Sequence, residues 1–305
     1  MPKEIFGHGY PFLPKSDLLT FEEIIRLVRI FVRMGVRKVR LTGGEPLLRQ
    51  DIEQLIEMLA QIPNLELALT TNGALLARKA QALKDAGLHR ITISLDSLDD
   101  EVFRSMNDVD FPVDQVLEGL QAAERVGFHP IKINMVVIQG VNDHTVLDMA
   151  RRFHRTPHIV RFIEFMDVGS TNGWRLEDVV PAAEIIRKIH TELPLEPINP
   201  NYPGEVAKRW RYQDGGGEIG VIASVTKPFC KDCTRVRLSA RGQLYTCLFA
   251  THSHDLRQAI RNGYTDDKIL SQIARIWTTR SDRYSEIRTA HASSGNKAEM
   301  FYIGG

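Results

Sequence analysis

The segment VRKVRLTGGEP at residues 36–46 decides the fold class of this chain. Apolar residues recur at helical spacing over Phe21–Met34 just before it, and its own residues Lys38–Leu41 have the short apolar pattern of a strand. The same order of helix, glycine and strand recurs around Gly87 and Gly127. Because strands that alternate with helices are typical of a parallel sheet with crossover helices, we predict an α/β fold.

Either an open doubly wound sheet or a partial (β/α) barrel fits this alternation, and in both architectures ligands bind at the carboxyl ends of the strands. Polar residues collect at those predicted ends: Thr42, Thr71, Asn72, Ser94, Asp96, Asn134 and Glu164. The turn Gly43-Gly44-Glu45-Pro46 belongs to the same edge, where two glycines would let the backbone approach a ligand closely. An ordinary strand-to-helix turn is the alternative interpretation of these four residues.

The pattern changes after about residue 192. Residues 193–203 carry four prolines and predict an extended linker. We therefore expect a partial α/β barrel over residues 1–192 and a smaller, metal-bearing region over residues 193–305.

The charge balance argues against two kinds of partner. Lys plus Arg total 39 and Asp plus Glu total 38, so the formal net charge is +1. This balance disfavours bulk nucleic-acid binding and a polybasic membrane surface. The first residues, MPKEIFGHGYPFLPK, have no apolar stretch typical of a secretory signal, so we expect a cytoplasmic protein. Any anion site must be a local cluster of cations.

The three cysteines of the chain lie close together with the spacing C-x2-C-x13-C, as Cys230, Cys233 and Cys247. Residues 234–238 and 243–246 have strand patterns around a turn at 240–242, so this hairpin should bring Cys247 back beside Cys233. Thiolates this crowded are typical of a metal site. Three free thiols are the alternative.

The spacing leaves the metal open. Structural zinc takes four ligands, and His252 or His254 is available as the fourth. A [4Fe-4S] cluster held by three thiolates keeps one iron open for a further ligand. The spacing favours the cluster slightly.

Six cations lie on elements that should meet at the predicted edge: Lys38, Arg40, Lys132, Arg161, Arg235 and Arg237. Convergent Arg and Lys side chains suit a triphosphate, which they bind by charge-assisted hydrogen bonds. Arg235 and Arg237 share one face of the hairpin strand because strand side chains alternate. We interpret these two arginines as functional and Lys38 as a solvated surface charge.

The chain ends in MFYIGG at residues 300–305. Chain ends usually fray. Four apolar residues before a double glycine nevertheless predict a tail that docks and inserts a slim tip.

These segments together resemble the GTP 3′,8-cyclase family, the radical S-adenosylmethionine (SAM) enzymes of the first step of molybdenum-cofactor biosynthesis. The resemblance is carried by TGGEP (42–46), TTNG (70–73), SLDS (94–97), FIEFMDVG (162–169), CKDCTRVRLSARGQLYTC (230–247) and the terminal IGG (303–305). It extends over the whole chain. GGEP alone is shared across radical SAM enzymes, whereas the cysteine segment and the Gly-Gly end are specific to this family.

The resemblance implies a partial (β/α)6 barrel with a C-terminal iron-sulfur extension, and two [4Fe-4S] clusters. In the family an N-terminal cluster on a C-x3-C-x2-C motif cleaves SAM, and the resulting radical takes the C3′ hydrogen of GTP before C3′ attacks C8 of the guanine. The second cluster keeps an open iron that holds the guanine. A homodimer is implied, and cyclic pyranopterin monophosphate synthase would receive the product.

The resemblance also implies roles for individual residues. The second cluster would be held by Cys230, Cys233 and Cys247. SAM would be contacted by Gly43, Gly44, Glu45, Ser94 and Met166. GTP would be contacted by Arg40, Thr71, Lys132, Arg161, Arg235, Val236 and Arg237. The terminal Gly304 and Gly305 would support catalysis.

The chain departs from the family in one respect, because no C-x3-C-x2-C occurs in it. Its first residues resemble the segment that follows this motif in the family, so a fragment or a misplaced start codon is the simplest interpretation. We expect the barrel to lack its first strand, Lys38–Leu41 to be an unpaired edge, and the chain as written to have no cyclase activity. The alternatives are a pseudoenzyme that binds GTP and metal without catalysis, and a zinc-stapled protein with no nucleotide role.

Overall fold

Eight strands form one sheet in the part of the chain that the computed structural model describes, residues 14–107, 111–288 and 297–304. The strands are β1 Lys38–Leu41, β2 Glu66–Thr71, β3 Arg90–Ser94, β4 Lys132–Val137, β5 Ile159–Glu164, β6 Leu195–Ile198, β7 Lys208–Tyr212 and β8 Glu218–Ile222. Their order in the sheet is β1-β2-β3-β4-β5-β8-β7-β6. Strands β1 to β5 and β8 run parallel, as the alternating pattern predicts.

Helices precede β1 and follow each of the strands β1 to β5 along the chain. They are α1 Phe21–Arg33, α2 Ile52–Ala60, α3 Leu76–Asp85, α4 Asp100–Asn107, α5 Val113–Arg125, α6 Val146–Phe153 and α7 Ala182–Glu192. Beyond the sheet lie α8 Leu256–Arg261, α9 Asp266–Thr278, α10 Tyr284–Ile287 and α11 Met300–Ile303. None of these described helices is long and apolar enough to cross a lipid bilayer.

The prediction of an extended linker over residues 193–203 was wrong. Strand β6 lies within it and pairs antiparallel with β7, which pairs antiparallel with β8. A proline is tolerated here because β6 is an edge strand, where a missing N–H removes no ladder bond. The sheet therefore runs across residue 192, and the division at 192/193 stays a prediction.

Helix α1 joins two apolar clusters. Its Ile25 and Val28 belong to the core beneath the sheet. Its Leu27 and Ile30, both 0% exposed, pack in a second cluster against α8 and α9. The helix begins at a capping box in which Glu23 N–H donates to Thr20 Oγ1 at 3.2 Å and Thr20 N–H donates to the Glu23 carboxylate at 2.9 Å. Burying both faces of α1 attaches the C-terminal helices to the barrel.

Strand β1 forms one edge of the sheet in the described residues, as expected. A second, three-stranded sheet consists of β9 Arg237–Leu238, β10 Gln243–Tyr245 and β11 His254–Asp255. Strands β9 and β10 form the predicted hairpin, with Leu244 opposite Leu238. Gly242 forms its turn at φ 78°, a conformation that favours glycine.

Candidate active site

One face of the parallel strands carries polar side chains at alternate positions. On β4, Lys132 and Asn134 are half-buried, whereas Ile133 and Met135 are fully buried on the opposite face. Neighbouring strands are in register with them, since Asn134 lies opposite Arg161 on β5. The polar face therefore leads to the carboxyl edge where a ligand site was predicted.

The cations on this face are held by neutral oxygens. Arg40 Nη1 donates to Thr70 Oγ1 at 2.8 Å and to Thr92 Oγ1 at 3.2 Å. Arg161 Nε donates to Asn134 Oδ1 at 2.9 Å. Among the described residues, no carboxylate lies within ion-pair distance of Arg40, Lys132 or Arg161. An anionic ligand would supply the missing counter-charge.

Burial and mutual repulsion lower the pKa values of these cations. Burial, followed by repulsion from Arg161, lowers the pKa of Lys132 to about 8. Burial and the charge of Arg40 lower the pKa of Arg161 to about 10. Each cation thus destabilises the others, because charge in a poorly solvated site is costly without a partner. By contrast Lys38 is half-buried and pairs with Glu66 at 2.7 Å, so its charge already has a carboxylate partner.

The hairpin adds two more arginines. Arg237 is buried enough that its pKa falls to about 10, with repulsion from Arg235 as the next cause. Arg235 is exposed and lies over the Phe229 ring at 5.4 Å. Burial lowers the pKa of Arg40, and the charge of Arg235 lowers it further, so this charge is felt at the cations of the sheet. Val236 between them packs against the second apolar cluster. Strand β9 begins only at Arg237, so Arg235 lies in the irregular segment before it and the predicted strand over residues 234–238 is shorter in the structure.

The Gly43-Gly44-Glu45 turn links the ends of β1 and β2. The Glu45 carboxylate accepts from Thr71 Oγ1 at 2.8 Å, from Asn72 N at 2.7 Å and from Leu47 N at 3.0 Å. Burial raises the pKa of Glu45, although these hydrogen bonds oppose it. The Glu45 carboxylate, which the family resemblance assigns to SAM, therefore already accepts three hydrogen bonds within the protein. The Thr71 hydroxyl, for its part, also accepts from Gly73 N at 3.1 Å.

Three further predicted SAM contacts lie along the same edge. Gly44 is exposed in the turn, Ser94 is the last residue of β3, and Met166 follows β5. The Met166 carbonyl accepts from Asn172 Nδ2 at 2.8 Å, which fixes the loop after β5.

The three cysteines lie at one end of the hairpin and are all half-buried. Cys233 N donates to Cys230 O at 3.2 Å in a short turn, and Cys247 follows β10. Burial tends to raise the pKa of the Cys233 thiol, but the charge and hydrogen bonds of Arg235 bring it below its ordinary value. Burial raises the pKa of Cys247.

Among the described residues, no three His, Cys, Asp or Glu side chains converge closely enough to hold a metal ion, so the predicted convergence of Cys230, Cys233 and Cys247 is not seen in the structure. In donor chemistry the site fits a [4Fe-4S] cluster, which three thiolates can hold. Burial and then repulsion from Arg235 lower the pKa of Arg237, whereas Cys233 and Cys247 both raise it, so both sulfurs lie near this guanidinium. The two histidines considered as a fourth zinc ligand, His252 and His254, are both exposed, and His254 pairs into β11 opposite Leu244.

The C-terminal tail reaches the glycine turn. Gly304 is buried at φ 73°, and Arg237 Nε donates to its carbonyl at 3.1 Å. A Cβ on Gly304 would lie 2.2 Å from Thr42 Cγ2 and 3.5 Å from Gly43 N. The tail tip therefore lies between an expected GTP contact and an expected SAM contact. Gly305 lies outside the described residues.

Comparisons with known proteins identify the family. The profile of the Radical SAM superfamily matches residues 4–153, and that of Molybdenum Cofactor Synthesis C matches residues 158–286. The GTP 3′,8-cyclase of Acidothermus cellulolyticus is 54% identical, over 100% of this chain and 91% of its own. The chain belongs to the GTP 3′,8-cyclase family.

A second GTP 3′,8-cyclase, from Xanthomonas campestris pv. campestris, is 51% identical over 96% of this chain and 86% of its own. Among solved structures, a methylornithine synthase covers 90% of this chain and 77% of its own at 16% identity, with a TM-score of 0.47. The family resemblance of the motifs is confirmed, and so is the mixed α/β, partial-barrel fold class. Membership of the radical SAM superfamily implies an iron-sulfur cluster and SAM as cofactors.

Sequence reasoning missed four residues that this GTP 3′,8-cyclase family member brings together beside the site, namely Asp167, Tyr284, Arg288 and Lys297. Asp167 had a signal, since it directly follows Met166 in the FIEFMDVG segment. The other three had none, because their contacts with Asp167 span 117 to 130 residues of sequence.

Proposed function

We propose that this protein is a GTP 3′,8-cyclase that converts GTP to (8S)-3′,8-cyclo-7,8-dihydroguanosine 5′-triphosphate in molybdenum-cofactor biosynthesis. The observation that carries the proposal is the group of cations without carboxylate partners at the carboxyl edge, on the face of Arg40, Lys132 and Arg161. A triphosphate is the ligand whose charge fits such a group. The 51–54% identity to GTP 3′,8-cyclases supports the choice of GTP.

In this proposal Arg40, Lys132 and Arg161 on the sheet hold the triphosphate, and the cysteine hairpin holds the guanine end of GTP. Arg40 and Arg161 are oriented in advance by hydroxyl and amide oxygens, so little side-chain freedom is lost on binding. Arg235, Val236 and Arg237 lie on the hairpin beside the cysteines. Thr71 would contact GTP from a position fixed by its hydrogen bond to the Glu45 carboxylate.

Cys230, Cys233 and Cys247 would hold a [4Fe-4S] cluster at the hairpin, and Gly43, Gly44, Glu45, Ser94 and Met166 would hold SAM at the strand ends. When bound, the SAM-cleaving cluster supplies the radical that removes the C3′ hydrogen of GTP. The chain's own contribution is to position GTP and to close the site with Gly304, whose carbonyl already accepts from Arg237.

We further propose that residues 1–192 form the radical SAM part and residues 193–305 the second cluster's part. The family relationship supports a homodimer and delivery of the product to cyclic pyranopterin monophosphate synthase.

These 305 residues contain three cysteines, and the proposed hairpin cluster uses all of them. We therefore propose that this chain by itself binds GTP without cleaving SAM. The non-catalytic GTP- and metal-binding protein is the second candidate, and the same cysteine count favours it. Sequencing the DNA upstream of the Met1 codon separates the two, since a C-x3-C-x2-C motif in frame supports only the cyclase.

The test of the proposed site combines metal analysis with GTP binding. After anaerobic reconstitution with iron and sulfide, we expect about four irons and about four labile sulfides per chain. Lys132→Met should weaken GTP binding in calorimetry by about tenfold or more, because one charge-assisted contact is lost. The matched control is Lys84→Met on the outer helix α3, where Lys84 Nζ donates to Gly127 O at 3.0 Å.

Three outcomes would contradict parts of the proposal. One zinc without sulfide would replace the cluster by a structural zinc site. Equal GTP affinity in Lys132→Met and Lys84→Met would remove Lys132 from the site. Production of 5′-deoxyadenosine from SAM by the reconstituted chain would show that it cleaves SAM without the cysteine motif.

A further inference from the structure

A buried carboxylate beside the site receives two cations from the C-terminal region. Lys297 Nζ lies 2.8 Å from Asp167 Oδ2 and 3.0 Å from the Asp167 carbonyl oxygen. Arg288 Nε lies 2.8 Å from Asp167 Oδ1, close enough for an ion pair. The three side chains are only 10%, 7% and 10% exposed for Asp167, Arg288 and Lys297. Pairs buried to this degree are little screened by salt.

Aromatic rings surround these charges. Lys297 Nζ lies 4.4 Å from the centroid of the Tyr284 ring, and the Arg288 guanidinium lies 5.2 Å from that of Phe249. The two rings stack on each other at 4.6 Å. Two cations face one carboxylate here, and the ring faces offset the second positive charge. Tyr284 also donates its hydroxyl to Asp167 and accepts from Lys297 Nζ at 2.6 Å.

The backbone around Lys297 is attached to the same loop. Lys297 N donates to Ser170 Oγ at 3.1 Å. The Glu299 carboxylate accepts from Ser170 N at 2.9 Å and from Thr171 Oγ1 at 3.0 Å. The loop that follows β5, residues 167–171, therefore holds the start of the tail, and helix α11 leads from there to Gly304.

The tail needs such an anchor. Helix α11 has four residues, and a helix this short is unstable in water by itself. Ile303 is 4% exposed and Gly304 is buried, so the tip is packed against the fold, and residues 297–299 attach the other end of this short helix to the loop after β5.

We propose that Asp167, Arg288 and Lys297 form a clasp that positions the C-terminal tail. The clasp keeps Gly304 packed on Thr42 and keeps the hydrogen bond from Arg237 to the Gly304 carbonyl. The three are positioning residues that act through Gly304. The importance of the tail for the reaction rests on the proposed function, whereas the clasp itself does not.

The test is hydrogen–deuterium exchange of the full chain, without GTP or SAM. The reporters are the amides of Tyr302, Ile303 and Gly304, which donate within the docked tail. Lys297→Met keeps an apolar stem of similar length and removes the charge and its three hydrogen bonds. We expect the reporters to exchange about tenfold faster or more, with α9 and strands β4 and β5 unchanged.

The matched control is Lys268→Met on α9, because Lys268 Nζ also lies over a tyrosine ring, at 3.4 Å from the Tyr264 centroid. Glu299→Gln, a milder variant, should speed exchange at the same reporters by a smaller factor. Asp167→Asn combined with Lys297→Met should do little more than either alone, since the two share one contact.

Two results would overturn the clasp. Unchanged tail exchange in Lys297→Met would show that the contact does not position the tail. Equal acceleration in the tail and in β4 and β5 would show that the cluster stabilises the whole fold instead. Because neither readout requires GTP, failure of the proposed function would leave this result intact.

Discussion

Replacing Gly304 by alanine should undock the tail, for two separable reasons. Gly304 has φ 73° and ψ 137°, a region that alanine adopts only with strain of about 1–3 kcal/mol. The added Cβ would also lie 2.2 Å from Thr42 Cγ2, so Thr42 must change rotamer or the tail must move. An off-rotamer side chain costs about 0.5–1.5 kcal/mol. Together we expect about 2–4 kcal/mol, or a decrease of about 30- to 700-fold in the ratio of docked to undocked tail.

Digestion by a carboxypeptidase measures this ratio, because the enzyme removes residues from the undocked tail. When opening is fast, the initial rate follows the undocked population. Gly304→Ala should therefore be trimmed much faster than the parent chain. The matched control is Gly263→Ala, since Gly263 also has positive φ, at 72°, but no atom lies within 4 Å of its added Cβ.

The second variant separates the clash from the strain. Thr42→Ser removes Cγ2, and the nearest remaining distances from the added Cβ are 3.4 Å to the residue 42 Cβ and 3.5 Å to Gly43 N. The double variant should therefore be trimmed more slowly than Gly304→Ala alone, though still faster than the parent. Trimming of Gly304→Ala at the parent rate, or no slowing by Thr42→Ser, would refute this account of the tail tip.

Three further predictions follow from buried charges. Because the pKa of Lys132 is lowered to about 8, it should regain its proton when a triphosphate binds; calorimetry near pH 8 in several buffers should show uptake of about 0.5 proton per GTP, and Lys132→Met should show less. Burial raises the pKa of Asp96 to about 6, so its ionisation should lower the free energy of unfolding by up to about 3 kcal/mol as pH rises from about 4 to 6. In Asp96→Asn, urea denaturation should lose that slope, and an identical slope would contradict the assignment. Glu164 accepts from the amides of Ala182, Val225 and Thr226, so Glu164→Ala should lower the free energy of unfolding by about 4 kcal/mol or more, with a smaller loss in Glu164→Gln.

The local sequence predicted the elements whose signals are local. The helix predicted over Phe21–Met34 and the strand predicted over Lys38–Leu41 occur where hydrophobic periodicity placed them, and strands β3 and β4 follow Gly87 and Gly127 as the recurring pattern predicts. The alternation of helices and strands was enough to predict that neighbouring strands run parallel. A strand that is followed by a crossover helix and another strand has few other ways to join the same sheet. The hairpin between Cys233 and Cys247 was likewise predicted from its strand patterns and its Gly242 turn. Strand β6 was missed because its proline obscured a pairing that only the partner strand β7 reveals.

The tertiary structure decided how the polar residues are used. The sequence pattern placed Glu45 and Thr71 at the edge of the sheet. Only the packed strands show that the Thr71 hydroxyl donates a hydrogen bond to the Glu45 carboxylate. Arg40 has two hydroxyl partners on two other strands, and Lys297 meets Asp167 across 130 residues of sequence. Periodicity is encoded by neighbours within a few residues, so the sequence by itself determined the parallel strands before residue 192, the edge where polar residues collect, and the family motifs. Charge pairing depends on distances that chain topology sets, so only the folded chain decided which cations were left for an anion and which hold the tail.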